Sequence, residues 1–203
     1  MLRDLARSIL FPGCPEPFPP GAELARQLPG ARLAKLRTAD GVALTGALCP
    51  CGAANAPVVI QFHGNGESAA QNLWLAPVLN REGLDVFLAE YRGYGGHEGS
   101  PSEEGFYADA EAALAWLATE GYGKERVIIA GRSIGTGVAV EMAHRGRGRA
   151  LVIVSPFTRI VDLARAAWWG RSRRSSSGTS SKRSRRCPIS GCQSSSSTAP
   201  RTS

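Results

Sequence analysis

Short apolar runs alternate with amphipathic stretches through the middle of the chain, and that alternation is its most informative pattern. Val58 to Phe62 is a compact, mostly apolar run of the kind that forms a strand buried on both faces, and Leu84 to Tyr91 is a second. Between them, Ala69, Leu73, Ala76 and Leu79 recur at helical spacing within Ser68 to Arg81. Ser102 to Glu120 predicts a strong helix. Ser102 can cap it, and Phe106, Ala110, Ala113, Leu114 and Leu117 share one face. Arg126 to Ala130 reads as a third strand, Ile134 to Ala143 as a helix and Ala150 to Val154 as a fourth strand. Upstream, Arg32 to Thr38 and Val42 to Leu48 flank Asp40-Gly41, which predicts an antiparallel hairpin. Strands and helices in this order build right-handed βαβ units. The expected fold is therefore α/β, with a mostly parallel sheet carrying an N-terminal antiparallel hairpin.

The pattern stops at Trp169. Residues 170–203 contain 13 serines, no aromatic residue and one large aliphatic, Ile189. Such a segment buries too little surface to offset its ordering entropy and is expected to be disordered. The division is 1–169 for the α/β body and 170–203 for a basic Ser/Arg-rich tail. Charge divides the same way. The net charge of +7 is a poor average, because all 17 acids lie at or before Asp162 and eight Lys or Arg follow Gly170. Of the 24 basic residues, 16 remain in 1–169, so the body carries a net charge of −1. Any polyanion binding would belong to the tail, by charge alone, and no specific nucleic-acid partner is expected.

Cys14, Cys49, Cys51, Cys187 and Cys192 form no disulfide framework or metal-knuckle spacing, and no metal or cofactor is expected. Met1 to Pro20 resembles neither a secretory signal nor a membrane anchor, and no segment has the apolar length of a bilayer span. A cytoplasmic, reduced protein is the expectation.

Gly131-Arg132-Ser133-Ile134-Gly135 lies between a predicted strand and a predicted helix. In that setting G-x-S-x-G is a nucleophile elbow, a sharp turn that lifts the Ser133 hydroxyl above the sheet. Side chains at Gly131 or Gly135 would clash with the neighbouring elements. The helix that follows aims backbone N–H groups at the place where an oxyanion would form. His63-Gly64-Asn65-Gly66-Glu67 follows the strand Val58 to Phe62 and offers a second oxyanion donor, the Asn65 N–H, beside that of Ile134. His63 is read as holding this loop rather than as a general base.

These blocks resemble the α/β-hydrolase superfamily, in particular its small lidless esterase- and peptidase-like branch. The likeness rests on Gln61 to Glu67, Glu90-Tyr91-Arg92-Gly93-Tyr94-Gly95, Pro101-Ser102-Glu103, Gly131 to Gly137 and Ser155-Pro156-Phe157. It implies a serine hydrolase acting on a small-molecule acyl substrate (an ester, thioester or amide), with a Gly-Tyr-Gly turn at Gly93 to Gly95 shaping the pocket floor. It also implies an acid and then a histidine after the nucleophile. The chain departs there. His97 reads as a surface loop residue, His144 ends the helix that leads away from Ser133, and Asp162 is the sole acid after the helix residue Glu141. The triad acid and base are therefore expected to be missing and activity impaired.

The tail also fits an out-of-frame reading. With serine encoded as TCN, the Ser-Ser junctions in a shifted frame encode apolar residues, and Ser197 to Thr202 permits a His-Gly-x-x-Asp register. The alternative is a non-catalytic truncated protein whose tail binds polyanions.

Overall fold

The computed structural model describes residue 11 and residues 13–156. The elements are α1 (Gly21–Gln27), β1 (Arg32–Arg37), β2 (Ala43–Cys49), β3 (Val58–Phe62), a 3-10 turn (Ala70–Asn72), α2 (Leu75–Asn80), β4 (Asp85–Ala89), α3 (Glu103–Thr119), β5 (Val127–Arg132), α4 (Gly135–His144) and β6 (Ala150–Val154). They form a six-stranded sheet in the order β1-β2-β4-β3-β5-β6. β1 and β2 are the antiparallel hairpin, and β2 joins β4 antiparallel. β4, β3, β5 and β6 run parallel. The expected α/β architecture is the one observed.

Two apolar clusters occupy the two faces of the sheet, and β4 shows how the chain supplies both. Its side chains alternate, so Phe87 and Ala89 enter one cluster with Ile60, Phe106, Ala113 and Val138, while Val86 and Leu88 enter the other with Leu24, Ala47 and Ala76. The predicted face of α3 is buried in full. The Ser102 hydroxyl accepts the Gly105 N–H at 3.1 Å, the cap the sequence suggests.

Two elements differ from expectation. Ser68 to Arg81 is not one helix but the 3-10 turn followed by α2. Pro77 explains the break. It lacks an N–H and is tolerated only in a first turn, where the N–H groups have no intrahelical acceptor, so the helix restarts at Leu75. α1 was not foreseen, because it is short, follows a Pro-rich stretch and buries a single residue, Leu24.

β6 pairs with β5 alone among the described residues, and all five of its residues are exposed. Leu151, Val152, Ile153 and Val154 are 39%, 47%, 41% and 48% accessible. The tail, Asp162 and the expected segment Ile160 to Trp168 lie outside the described residues. Among those described, no helix is long and apolar enough to cross a membrane.

Candidate active site

β5 delivers the chain to Ser133 and α4 takes it away within two residues. Ser133 has φ +50°, a left-handed conformation that costs a side-chain-bearing residue energy and turns the chain sharply. The flanking glycines admit no side chain. A Cβ on Gly131 would overlap the Gly135 carbonyl oxygen and lie 2.7 Å from the Ala139 Cβ. On Gly135 it would overlap the Phe62 carbonyl oxygen and lie 2.7 Å from that of His63. Three hydrogen bonds hold the strained turn. The Ser133 N–H donates to the Val154 carbonyl of β6 at 3.0 Å, and the Ser133 carbonyl accepts the Thr136 N–H at 2.9 Å and the Thr136 hydroxyl at 2.6 Å. The Ile134 N–H is the first amide of the turn into α4.

The end of β3 meets this elbow from the side. A Cβ on Gly64 would sit 3.4 Å from the Ser133 Cβ, so the loop His63 to Glu67 lies directly against Ser133. His63 is fully buried. Its Nδ1 faces the Gly64 carbonyl at 2.9 Å, and its Nε2 faces the Glu90 carboxylate at 2.6 Å. A carbonyl oxygen can only accept, so Nδ1 carries a hydrogen, and neither nitrogen is left to take a proton from Ser133. His63 thus grips the Gly64 carbonyl of its own loop and the Glu90 carboxylate behind it. Its grip has a direction. In a trans peptide the C=O and the following N–H point opposite ways, so fixing the Gly64 oxygen toward His63 aims the Asn65 N–H away from the ring. The Asn65 side chain is held as well, accepting the Tyr94 hydroxyl at 2.8 Å. Burial, with the Glu90 charge, pushes the Tyr94 phenol well up, which keeps it a donor.

Behind the loop, Glu90 collects the Ala69 N–H at 2.9 Å and the Tyr91 N–H at 3.0 Å, and Tyr91 donates to the His63 carbonyl at 3.2 Å. Gly93 and Gly95 take φ +76° and +58°, which makes the tight turn expected there. The Cys14 carbonyl accepts the Gly95 N–H at 2.7 Å.

The structure thus brings Ser133, Ile134, Asn65, Gly64, His63, Gly131 and Gly135 to one place. The chain has three histidines. His63 is committed as described, the His97 Nδ1 faces the Tyr94 carbonyl at 3.1 Å, and His144 is exposed at the last position of α4. Among the described residues no hydrogen bond joins a histidine ring to the Ser133 hydroxyl, and no group of His, Cys, Asp and Glu could hold a metal ion. Burial pushes the Cys49 thiol up to about 12, which leaves it an inert core residue. Sequence reasoning gave no role to Glu90, Glu67 or Arg132, although all three lie within the blocks that carry the resemblance.

The model of the family described as serine aminopeptidase, S33, matches residues 53–196, a stretch that holds the elbow and the His63 loop and continues past Trp169. The chain belongs to this α/β-hydrolase family. It is 37% identical over 159 residues to an uncharacterised protein of Mycobacterium tuberculosis, covering 77% of this chain and 55% of that protein. It is 38% identical over 117 residues to the lysophosphatidylserine lipase ABHD12 of Danio rerio, covering 54% and 30%. The chain thus spans about half the length of the first relative and under a third of the second. Among solved structures, an alpha-beta hydrolase from Vibrio vulnificus superposes with a TM-score of 0.67 at 22% identity, over 87% of this chain and 68% of that one. The Pyrococcus furiosus esterase Pf2001 superposes with a TM-score of 0.55 at 22% identity, over 71% and 56%. At such identities these two attest the fold.

Proposed function

We propose that this S33-family chain carries the acylation half of a serine hydrolase, with Ser133 attacking the carbonyl of an ester, thioester or amide. The observation that carries the proposal is the left-handed Ser133 between two glycines that admit no side chain, with Gly64 of the neighbouring loop against its Cβ. The tetrahedral oxyanion forms where the Ile134 N–H at the mouth of α4 and the Asn65 N–H, aimed by His63, converge. Each such donor is worth about 10²–10³-fold in rate. The names of the similar proteins, a lipase and an esterase, support an ester as the first substrate class to try.

Turnover requires a base to take the Ser133 proton and return it to the leaving group. The engagement of His63 and the positions of His97 and His144 support the reading that this chain is impaired. The out-of-frame reading of the tail, with weak polyanion binding through its cations and no sequence preference, has the family match against it, because that match runs into the tail as far as residue 196. Five cysteines without a framework, of which Cys14, Cys49 and Cys51 are free, support a reducing cytoplasmic setting.

The test combines an activated aryl acetate with intact-mass analysis. We expect a slowly formed acetyl adduct on Ser133, absent in Ser133→Ala, and almost no steady-state turnover. An adduct elsewhere, or none, would overturn Ser133 as nucleophile. Rapid turnover abolished by Ser133→Ala would overturn the impairment.

A further inference from the structure

Arg132 immediately precedes the nucleophile on β5, and Glu67 closes the loop after β3. Their side chains meet. The Glu67 Oε2 pairs with the Arg132 Nη2, and the Glu67 Oε1 accepts the Arg132 Nε–H at 3.1 Å. The same Oε1 accepts the Gly64 N–H, and the Asn72 Nδ2 reaches Oε2 at 3.4 Å. The carboxylate is largely covered, with a side-chain accessibility of 14%, whereas the guanidinium is about half exposed at 51%. A single carboxylate therefore ties the residue before Ser133 to the residue before Asn65.

We propose that Glu67 and Arg132 are positioning residues that clasp the oxyanion loop to the nucleophile elbow. The clasp has two effects. It takes the Gly64 N–H out of the oxyanion site, leaving Asn65 and Ile134 as the donors. It also sets the distance between those donors, because the clasped Gly64 lies one residue from Asn65 and the clasped Arg132 two residues from Ile134. The guanidinium fork suits the task, since it presents two N–H groups to one carboxylate in a fixed plane, which an ammonium group cannot do. The other charged groups around the loop are engaged elsewhere. Glu90 binds His63, and Glu16 binds Gln71 at 2.7 Å, whose Oε1 accepts the Ser68 N–H at 3.2 Å. The inference rests on the proposed oxyanion site, but its readouts use no turnover, so a chemically inert Ser133 would sink the hydrolase reading without deciding this one.

The experiment follows amide resonances and amide hydrogen exchange in the full chain, comparing Glu67→Gln, Arg132→Met and Arg132→Lys with wild type. A hydrogen bond to a charged acceptor is worth about 1.5–3 kcal/mol, so Gly64 N–H exchange should speed up about ten- to hundredfold in Glu67→Gln. In Glu67→Gln and Arg132→Met the Asn65 and Ile134 resonances should shift together. Arg132→Lys should fall between Arg132→Met and wild type. Arg132 is half exposed, so its variants retain the fold and keep the test open even if Glu67→Gln does not fold. Movement of Gly64 alone, with Asn65 and Ile134 at their wild-type positions, would reduce Glu67 to a local loop cap and overturn the proposal. An Arg132→Met spectrum unchanged at all three residues would overturn it as well.

Discussion

The imidazole of His63 and the carboxylate of Glu90 meet at 2.6 Å, with side-chain accessibilities of 0% and 1%. Removing one member of such a pair strands the other without water. His63→Ala is expected to cost about 3–5 kcal/mol of stability, with a smaller loss for Glu90→Gln, which keeps a hydrogen-bonding partner for Nε2. Urea unfolding with an unchanged m-value is the measurement. A loss below about 1 kcal/mol for His63→Ala would show that the pair does not anchor the loop.

Glu67 and Asp109 should leave opposite marks on the pH dependence of stability. Burial pushes the Glu67 carboxyl up, but the bonds from Arg132 and the Gly64 N–H pull it further down, so its net position is below the ordinary value of 4.5. Its contribution is complete above that value and fades as pH falls below it. For Asp109, burial outweighs the Arg92 bonds, and the carboxyl lies above its ordinary 3.8. Its contribution is largest below 3.8 and diminishes as pH rises from there. The stability difference between wild type and Glu67→Gln should therefore be flat from pH 7 to about pH 5 and shrink in acid. A difference that grows in acid would contradict the assignment.

Two glycines two residues apart in the elbow should respond to alanine with opposite signs. On Gly135 a Cβ meets backbone oxygens that cannot step aside, and overpacking of this kind costs about 1–3 kcal/mol or more. On Gly137, inside α4, nothing lies within 4 Å of the added Cβ. Gly137→Ala should stabilise by about 0.4–1 kcal/mol by reducing the freedom of the unfolded chain. Melting temperatures of the two variants check both. Equal effects would mean that the elbow packs less tightly against β3 than the distances indicate.

How much of this was visible in the sequence depends on the range of the interaction. The strand runs, the α3 face with Phe106 and Leu117, the Ser102 cap and the elbow glycines are local, and periodicity or spacing exposes them. The register of Gly64 against Ser133 is not local, because it needs β3 and β5 to be neighbours, a fact of strand order rather than of either segment. The Glu67–Arg132 pair was hidden for the same reason, its members being 65 positions apart. One clue was present. Glu67 stands three residues after Gly64, the spacing at which a side chain can turn back to accept a backbone N–H. The split at Pro77 was legible too, had its missing donor been weighed against the helical spacing around it.

The exposed aliphatics of β6 predict self-association. Among the described residues β6 is the edge of the sheet, and its four neighbouring apolar residues offer both backbone and side chains to another chain. The wild-type protein should express largely insoluble or sediment as oligomers. Val152→Lys should raise the soluble monomeric fraction with little change in melting temperature, since Val152 is already half exposed. A wild-type chain that is monomeric and melts cooperatively at high concentration would refute this.

The bond from the Ser133 N–H to the Val154 carbonyl gives that edge a further meaning. The Ser133 amide is fastened to a strand that, among the described residues, has a neighbour on one side only and exposed side chains along its length. Edge strands fray on timescales far shorter than global unfolding. Each time β6 breathes, one of the three hydrogen bonds that hold Ser133 in its left-handed turn opens. The lifetime of the serine's poised conformation is then set by the peeling of a strand five residues long. Anything that docked on β6 would act on Ser133 from a distance, by slowing that peeling.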